Sequence, residues 1–503
     1  MFDSDFEKGR YHPLVLPEYN VPLTIDGLRE IFSSCSDFEV REIAFGLEKN
    51  VRLNVCWLDG IVSGGEVSSS VLRPLTQSAR AGNARDEAQA LAAVLCGAVY
   101  SCSVKQCTAM DETVSALTHG HCAVIFDTLQ TALCFEVRSE NTRAISEPTL
   151  EKALKGAKDS FVETLRTNTA LVRRRICTPK LKLIESTVGR KSGTRVAVMF
   201  IDGVAAPETV KELAARLDAL DIDALLGVGI LEEGIVDAPS SPFPQLIHTE
   251  RPDRFSMYLM DGRVGLLVDG IPVGLVLPVT FAEFMKVTGD ASLHYLVSSV
   301  TAAVRYFSLA LSALLPAFYV AIAMYHQEMI PSRLLLSIIE AKQDVPFSTA
   351  LEVIGMLVAF TLLQEAGLRL PNPIGDTVSI IGALIVGQSA VEARVTSPIA
   401  IIVVALSGIA GYTLPSQDMG SAVRLVRFVL VLAAIAAGLF GVAAASCLIV
   451  FWLARMDSFG TSYTAPLSEA SPGSLSRLLL RKPKTQDKYR DPLLKTPDRR
   501  RQK

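Results

Sequence analysis

The chain has 503 residues, half of them apolar and one in five charged, with a formal net charge of −3. That near-neutral balance leaves no case for nucleic acid as a partner, and the length suggests about two to four domains. The apolar residues are unevenly placed. Divided near residue 295, the chain separates into a part of ordinary soluble composition and a part suited to lipid.

Residues 1–20 read as a loose tail, without the basic start and apolar core of a secretory signal, so the soluble part is expected to stay cytoplasmic. Nine cysteines, an odd count without regular spacing, fit reduced thiols better than a disulfide framework. Cys102, Cys107, His119, His121 and Cys122 lie close in sequence but lack the tight paired spacing of a structural zinc site. Cys122 and Cys134 alternate with apolar residues like buried strand thiols, and no metal or cofactor is expected.

A weak helical pattern runs from Ile25 to about Phe45. Val51 to Gly64 reads as a strand closed by the turn pair Asp59-Gly60. Helical stretches follow near Val67–Leu75 and Asp86–Leu95, and His121–Val137 reads as a hairpin around Asp127-Thr128. The plan then recurs. From Thr194 come a strand, Asp202-Gly203 and a helix opening near Pro207, and from Gly262 two strands surround Asp269-Gly270. Asp59 and Asp202 lie 143 residues apart, Asp127 and Asp269 142 apart, which suggests a duplicated α/β unit. Between the copies, Ser146 before Pro148 can cap a helix that carries Leu154, Phe161, Leu165 and Leu171 toward a core. Arg173, Arg174 and Arg175 end it. They suit a helix C-terminus or, alternatively, a contact with lipid headgroups or an acidic neighbouring subunit.

After residue 295 the pattern is that of membrane helices. A bilayer core needs roughly 20 consecutive apolar residues in helical form. Phe428–Ala454 exceeds this without a charge, flanked by Arg424, Arg427 and Arg455. Residues 306–324, 376–392 and 397–416 read as three more spans. Leu334–Gln364, with Glu340, Lys342, Asp344 and Glu352, is either interfacial or a hairpin of two. The segment Thr377–Val391 is unusually small and polar for a lipid-facing helix, and either helix packing or the lining of an ion path explains it. From Arg481 onward ten basic residues oppose three acidic ones, which favours a cytoplasmic tail. The expected organisation is a flexible tail (1–20), a first cytoplasmic α/β subdomain with a helical linker (21–176), a second (177–294), a transmembrane helical domain (295–457) and a basic tail (458–503). The fold class is thus α+β: two tandem α/β subdomains, then an all-α multi-pass membrane domain.

Several ordered stretches carry a family resemblance: SEP at Ser146, FVETLRTNTALVRRR from Phe161, RVAVMFIDG from Arg195, SPFPQ from Ser241 and TERPDR from Thr249. HQEMIP from His326, RLPNPIG from Arg369 and VSIIGALIVGQSAVEA from Val378 continue the series. The chain resembles the A subunits of the GerA-type spore germinant receptors, a family that includes SpoVAF-like proteins. Ala157-Lys158 departs from a more usual Pro-Arg pair. The resemblance implies a multi-pass protein of the spore inner membrane that acts in nutrient-triggered germination with a permease-like B subunit and a lipoprotein C subunit. It also implies a homo-oligomer whose helices form a cation path. Ser379, Gly382, Val386, Gly387, Gln388, Ser389 and Glu392 then become candidate pore-lining residues, with Ile381, Leu384, Ile385 or Val386 as an apolar constriction. His326, Glu328, Arg173, Arg174, Arg175, Glu250, Arg251, Asp253 and Arg254 become candidate interface or gating residues. A non-conducting scaffold and a secondary transporter are the alternatives. No phosphate loop, nucleophile elbow or His-Glu-x-x-His pair argues for an enzyme.

Overall fold

A computed structural model describes residues 19, 21–45, 51–77, 84–99, 103–137, 148, 151, 156–369, 387–468, 479–481 and 483–502. It divides into two compact units: residues 1–235, 248–278 and 488–503 form one, and 236–247 with 279–487 the other.

The first unit is built twice on one plan. In the first copy, helix α1 (Ile25–Ile31) precedes strands β1 (Phe38–Phe45) and β2 (Val51–Leu58). A helical run, Gly64–Gln77, and helix α2 (Glu87–Ala93) lead to β3 (Val104–Cys107). Helix α3 (Met110–Thr118) and the hairpin β4 (His121–Phe126) and β5 (Thr131–Glu136) complete it. The second copy repeats the order with α4 (Leu165–Arg173), β6 (Leu181–Val188), β7 (Thr194–Ile201), α5 (Pro207–Ala219) and α6 (Val228–Ile235). Then come β8 (Ile247–Thr249), α7 (Pro252–Asp261), β9 (Val264–Val268) and β10 (Gly274–Leu277). The sheets run β1-β2-β4-β5-β3 and β6-β7-β9-β10-β8, the same topology.

The period-2 alternation of strand side chains gives the first sheet two apolar faces. Leu53, Val55, Trp57, Val124, Phe126, Leu133 and Phe135 pack under the run from Gly64 to Val99. Cys56, Leu58, Ala123, Ile125, Ala132 and Cys134 pack against α1 and α3. Cys122 and Cys134 are fully buried thiols. Asp127 and Asp269, the matched hairpin aspartates, do more than turn the chain. Asp127 Oδ1 accepts from Ile25 N (2.8 Å), and Asp269 Oδ1 accepts from Leu165 N (3.0 Å). Each closes its own copy by capping that copy's first helix.

Two helices differ from the sequence reading. The helix from Ile25 stops at Ile31, because Ser34 turns left-handed (φ 60°) and Phe38–Phe45 pairs along its whole length with Val51–Leu58. A continuous ladder outweighs weak helical periodicity. The linker helix starts only at Leu165, because Phe161 N is held by Glu250 O (2.7 Å) and the Asn168 side chain clasps both Val162 N and Val162 O. Ser146 lies outside the described residues.

In the second unit, α8 (Tyr295–Tyr325) carries Pro316 inside it, and α9 (Ser332–Lys342) follows. Helices α10 (Thr349–Arg369), α11 (Pro398–Tyr412) and α12 (Gln417–Ala454) complete the bundle. Ala317, Ala321, Val353, Leu357, Ala400, Val404, Leu430 and Ala434 meet at its centre. Small residues there permit the close approach on which helix association in lipid depends. Phe307, Leu362, Ile402, Ile409, Leu432, Phe440 and Leu448 stay exposed on the outside. Among the described residues three helices, Tyr295–Tyr325, Thr349–Gly367 and Gln417–Ala454, are long and apolar enough to cross a bilayer. The stretch Leu334–Gln364 thus resolves into one short helix with a single buried residue, Ile338, and one long apolar helix. Helix α12 begins earlier than Phe428 and breaks at Ala437–Gly438, where Gly438 takes φ 58°.

Beyond α12, Ser458 and Tyr463 are buried against the 236–247 loop, which holds the SPFPQ stretch. Tyr463 donates to Pro244 O (2.9 Å), Phe459 N to Asp237 Oδ2 (2.8 Å), and Phe243 sets its ring edge toward Trp452.

Candidate functional site

Buried charge is where structure and function most often meet, because an unpaired ion away from water is costly. Each unit holds such a centre. In the first, Arg173 at the end of α4 is 2% exposed and Asp37, just before β1, is 1% exposed. The guanidinium grips the carboxylate with both prongs, Nε to Oδ2 at 2.6 Å and Nη2 to Oδ1 at 2.7 Å, and gives Nη1 to Leu181 O at 2.8 Å. Together with Ser36 N on Leu183 O (2.9 Å), this joins the two copies. Nearby, Arg166 pairs with Asp59 (3.0 Å) and Glu185 (2.8 Å) at the edge of a cavity of about 260 Å³, which Ser63, Thr167 and Arg174 also line.

In the helical unit, the Glu352 side chain on α10 has no exposure at all. Its Oε2 accepts from Ser397 N (3.0 Å) and Ser397 Oγ (2.8 Å), at the N-terminus of α11. The positive end of that helix favours a carboxylate there. Lys342 Nζ stands 3.3 Å from Oε1 and donates instead to Thr349 Oγ1. Oε1 has no hydrogen-bond partner among the described residues, nor do the buried Thr396 Oγ1 and Tyr319 hydroxyl. Tyr319 on α8 lies beside both Ser397 and Glu352. A second buried charge, Arg427 on α12, donates to Ser312 Oγ (2.7 Å), and Ser407 Oγ donates to Ser312 O (3.0 Å). Gly411 makes room for it: a Cβ there would come within 3.4 Å of the Arg427 guanidinium.

The candidate pore residues divide. Ser379, Gly382 and Val386, with Ile381, Leu384 and Ile385, lie outside the described residues. Residues 387–392 are helical, with Gly387 buried and Gln388, Ser389 and Glu392 exposed. His326 caps the end of α8 half-buried, and Glu328 is exposed in the short turn after it. Of the arginine triplet, Arg173 joins the two copies, Arg175 pairs with Asp159 (2.6 Å) and Arg174 faces solvent. Glu250, Arg251, Asp253 and Arg254 form an internal clasp. Arg251, 2% exposed, forks onto Asp253, while Arg254 pairs with Glu151 and lies over the Tyr258 ring. Burial costs the Arg254 guanidinium solvation, but Tyr258 and Glu151 more than offset this and push its pKa up. Among the described residues no three His, Cys, Asp or Glu side chains gather to hold a metal. The ring nitrogens of His119 and His121 turn to the carbonyls of Ser115 (2.7 Å) and Ala116 (3.0 Å).

The sequence matches the profile of the Bacillus/Clostridium GerA spore germination proteins across residues 26–493. The chain belongs to the GerA family. It is similar to spore germination protein KA of Bacillus subtilis (strain 168), 34% identical over 94% of this chain and 86% of that protein. Spore germination protein GerLA of Bacillus cereus is 32% identical over 94% of this chain and 95% of its own length. The uncharacterised membrane protein YfkQ of Bacillus subtilis (strain 168) is 34% identical over 92% and 89%. The N-terminal domain of the A subunit of the Bacillus megaterium germinant receptor GerK3 aligns at 29% identity over 50% of this chain and 92% of that one, with a TM-score of 0.41. In this GerA-family chain, Glu352, Ser397 and Arg427 escape a reading by motif. The available signal was charge itself: an ionisable residue inside an apolar helix marks a functional position by default.

Proposed function

We propose that this chain is the A subunit of a nutrient-responsive germinant receptor in the spore inner membrane, and that several copies together form a cation-conducting path. The resemblance assigns it a permease-like B subunit and a lipoprotein C subunit as partners. The path would run along the span that the sequence places at 376–392, of which residues 387–392 are described and helical. The observation that carries this reading is the exposure of Gln388, Ser389 and Glu392, three polar side chains on one short helical segment of a unit that also exposes large apolar side chains such as Phe307, Ile402, Phe440 and Leu448. Polar and acidic side chains on a membrane helix turn to water or to a bundle interior, and rings of acidic groups select cations.

The composition of the first unit supports an orientation with both ends of the chain on one side. It draws residues from before α8 and also residues 488–503 from after α12, with Arg490 on Met260 O (2.9 Å) and Asp498 N on Gly203 O (3.2 Å). On this reading both ends would lie on one side, and the chain would cross the bilayer an even number of times. The excess of basic residues after Arg481 makes that side cytoplasmic.

Reconstitution of the purified protein in planar bilayers tests the path. Cation currents are expected, and Val386→Ala, which thins an apolar constriction that closes by dewetting, is expected to leak in the absence of any nutrient. No current from either protein would leave a non-conducting scaffold as the better account.

A further inference from the structure

We propose that the Glu352 centre is a seat for a monovalent cation, filled in this structure by the Lys342 ammonium and open to Na⁺ or K⁺ when that lysine withdraws. The inference deepens the conduction reading, on which it rests for the route by which a cation arrives.

Three observations carry it. First, Glu352 is a complete charge inside the bundle, and only Oε2 is saturated, by the two Ser397 donors. A charge-assisted N–H···O bond measures about 2.7–2.9 Å, so Lys342 at 3.3 Å, without hydrogen-bond geometry, compensates Oε1 only as a nearby charge. Second, hydroxyl oxygens are at hand: Tyr319 lies beside Glu352 and Ser397, and Thr396 directly precedes Ser397 in the chain. Thr396 is 3% exposed and its Oγ1 has no partner among the described residues, as is true of the Tyr319 hydroxyl, while Thr349 Oγ1 already meets the ammonium. One carboxylate among neutral oxygens suits a hard, singly charged ion; Ca²⁺ and Mg²⁺ sites draw on more carboxylates or retained water. Third, the ammonium can leave. Lys342 is the last residue of α9, a helix with a single buried residue, and its side chain retains 23% of its exposure.

The test is thermal unfolding of the full-length protein in nanodiscs, in NaCl or KCl against N-methylglucamine chloride at equal ionic strength. With the ammonium removed, Lys342→Met is expected to unfold several degrees higher in Na⁺ or K⁺ than in the bulky cation, because a bound ion stabilises by mass action. Adding Glu352→Gln should abolish the difference, and adding Thr396→Val should shift the half-effective concentration upward severalfold. If Lys342→Met does not fold, wild-type protein decides the matter: acylation of Lys342, followed by mass spectrometry, should run severalfold faster in Na⁺ or K⁺. A midpoint or a labelling rate indifferent to the cation would overturn the seat. Bilayer currents separate the two readings. Cation-dependent stability without current leaves the seat and removes the path, whereas current with cation-indifferent stability does the reverse.

Discussion

Two buried ion pairs, one in each unit, solve the same problem differently. Asp37 receives both prongs of Arg173, whose remaining nitrogen finds Leu181 O, so little hydrogen-bonding capacity remains unused. Glu352 faces Lys342, a compact charge with no fork, and keeps one oxygen bare. Arginine is the residue for a planar two-point grip, and lysine for a point charge that can be exchanged. The first pair is a rivet between two copies of one fold. The second has the form of a part that moves.

The comparison breaks most readily at the rivet. Arg173→Met strands the Asp37 carboxylate in a site closed to solvent, and loss of one partner of a buried pair costs about 3–5 kcal/mol. Chemical denaturation of the full chain is expected to show that loss in the transition of the first unit. Arg173→Lys sharpens the point, since it keeps the charge and removes the fork; a variant as stable as wild type would show that geometry is irrelevant here. In the helical unit, Glu352→Ala leaves the Ser397 N–H without an acceptor and the Lys342 ammonium without its counter-charge, and about 1–3 kcal/mol is expected to be lost, read by thermal unfolding in nanodiscs. Smaller still are the matched caps. Asp127→Ala and Asp269→Ala should each cost about 1 kcal/mol and add in the double variant, because each serves its own copy; strong non-additivity would show that the copies do not act independently. Least of all, Arg52→Ala removes a pair with Glu42 in which both side chains are more than half exposed, and should change stability by less than about 0.5 kcal/mol.

The duplication was legible because hairpin chemistry is local: aspartate-led turns recur where the strands recur, and two matched pairs did so at nearly one spacing. The additional role of Asp127 and Asp269 was hidden, since their capping partners lie about a hundred residues earlier in the chain. Arg173 shows the same limit. At the end of a helix its charge suits the local dipole, and nothing nearby in sequence points to Asp37, 136 residues away. The TERPDR stretch supplies candidate interface or gating residues, yet Arg251 is turned inward and forked onto Asp253, two residues on.

Apolar run length and turn chemistry are properties of short windows, so the order of residues alone suggested a division near residue 295 and gave the repeated strands and the GerA resemblance. Which charges are buried, and against what, depends on groups brought together across tens to hundreds of residues. Glu352 with Ser397, Arg427 with Ser312 and Arg173 with Asp37 are such pairs. Charge in low dielectric is decided by three-dimensional neighbours, and only the folded chain supplies them.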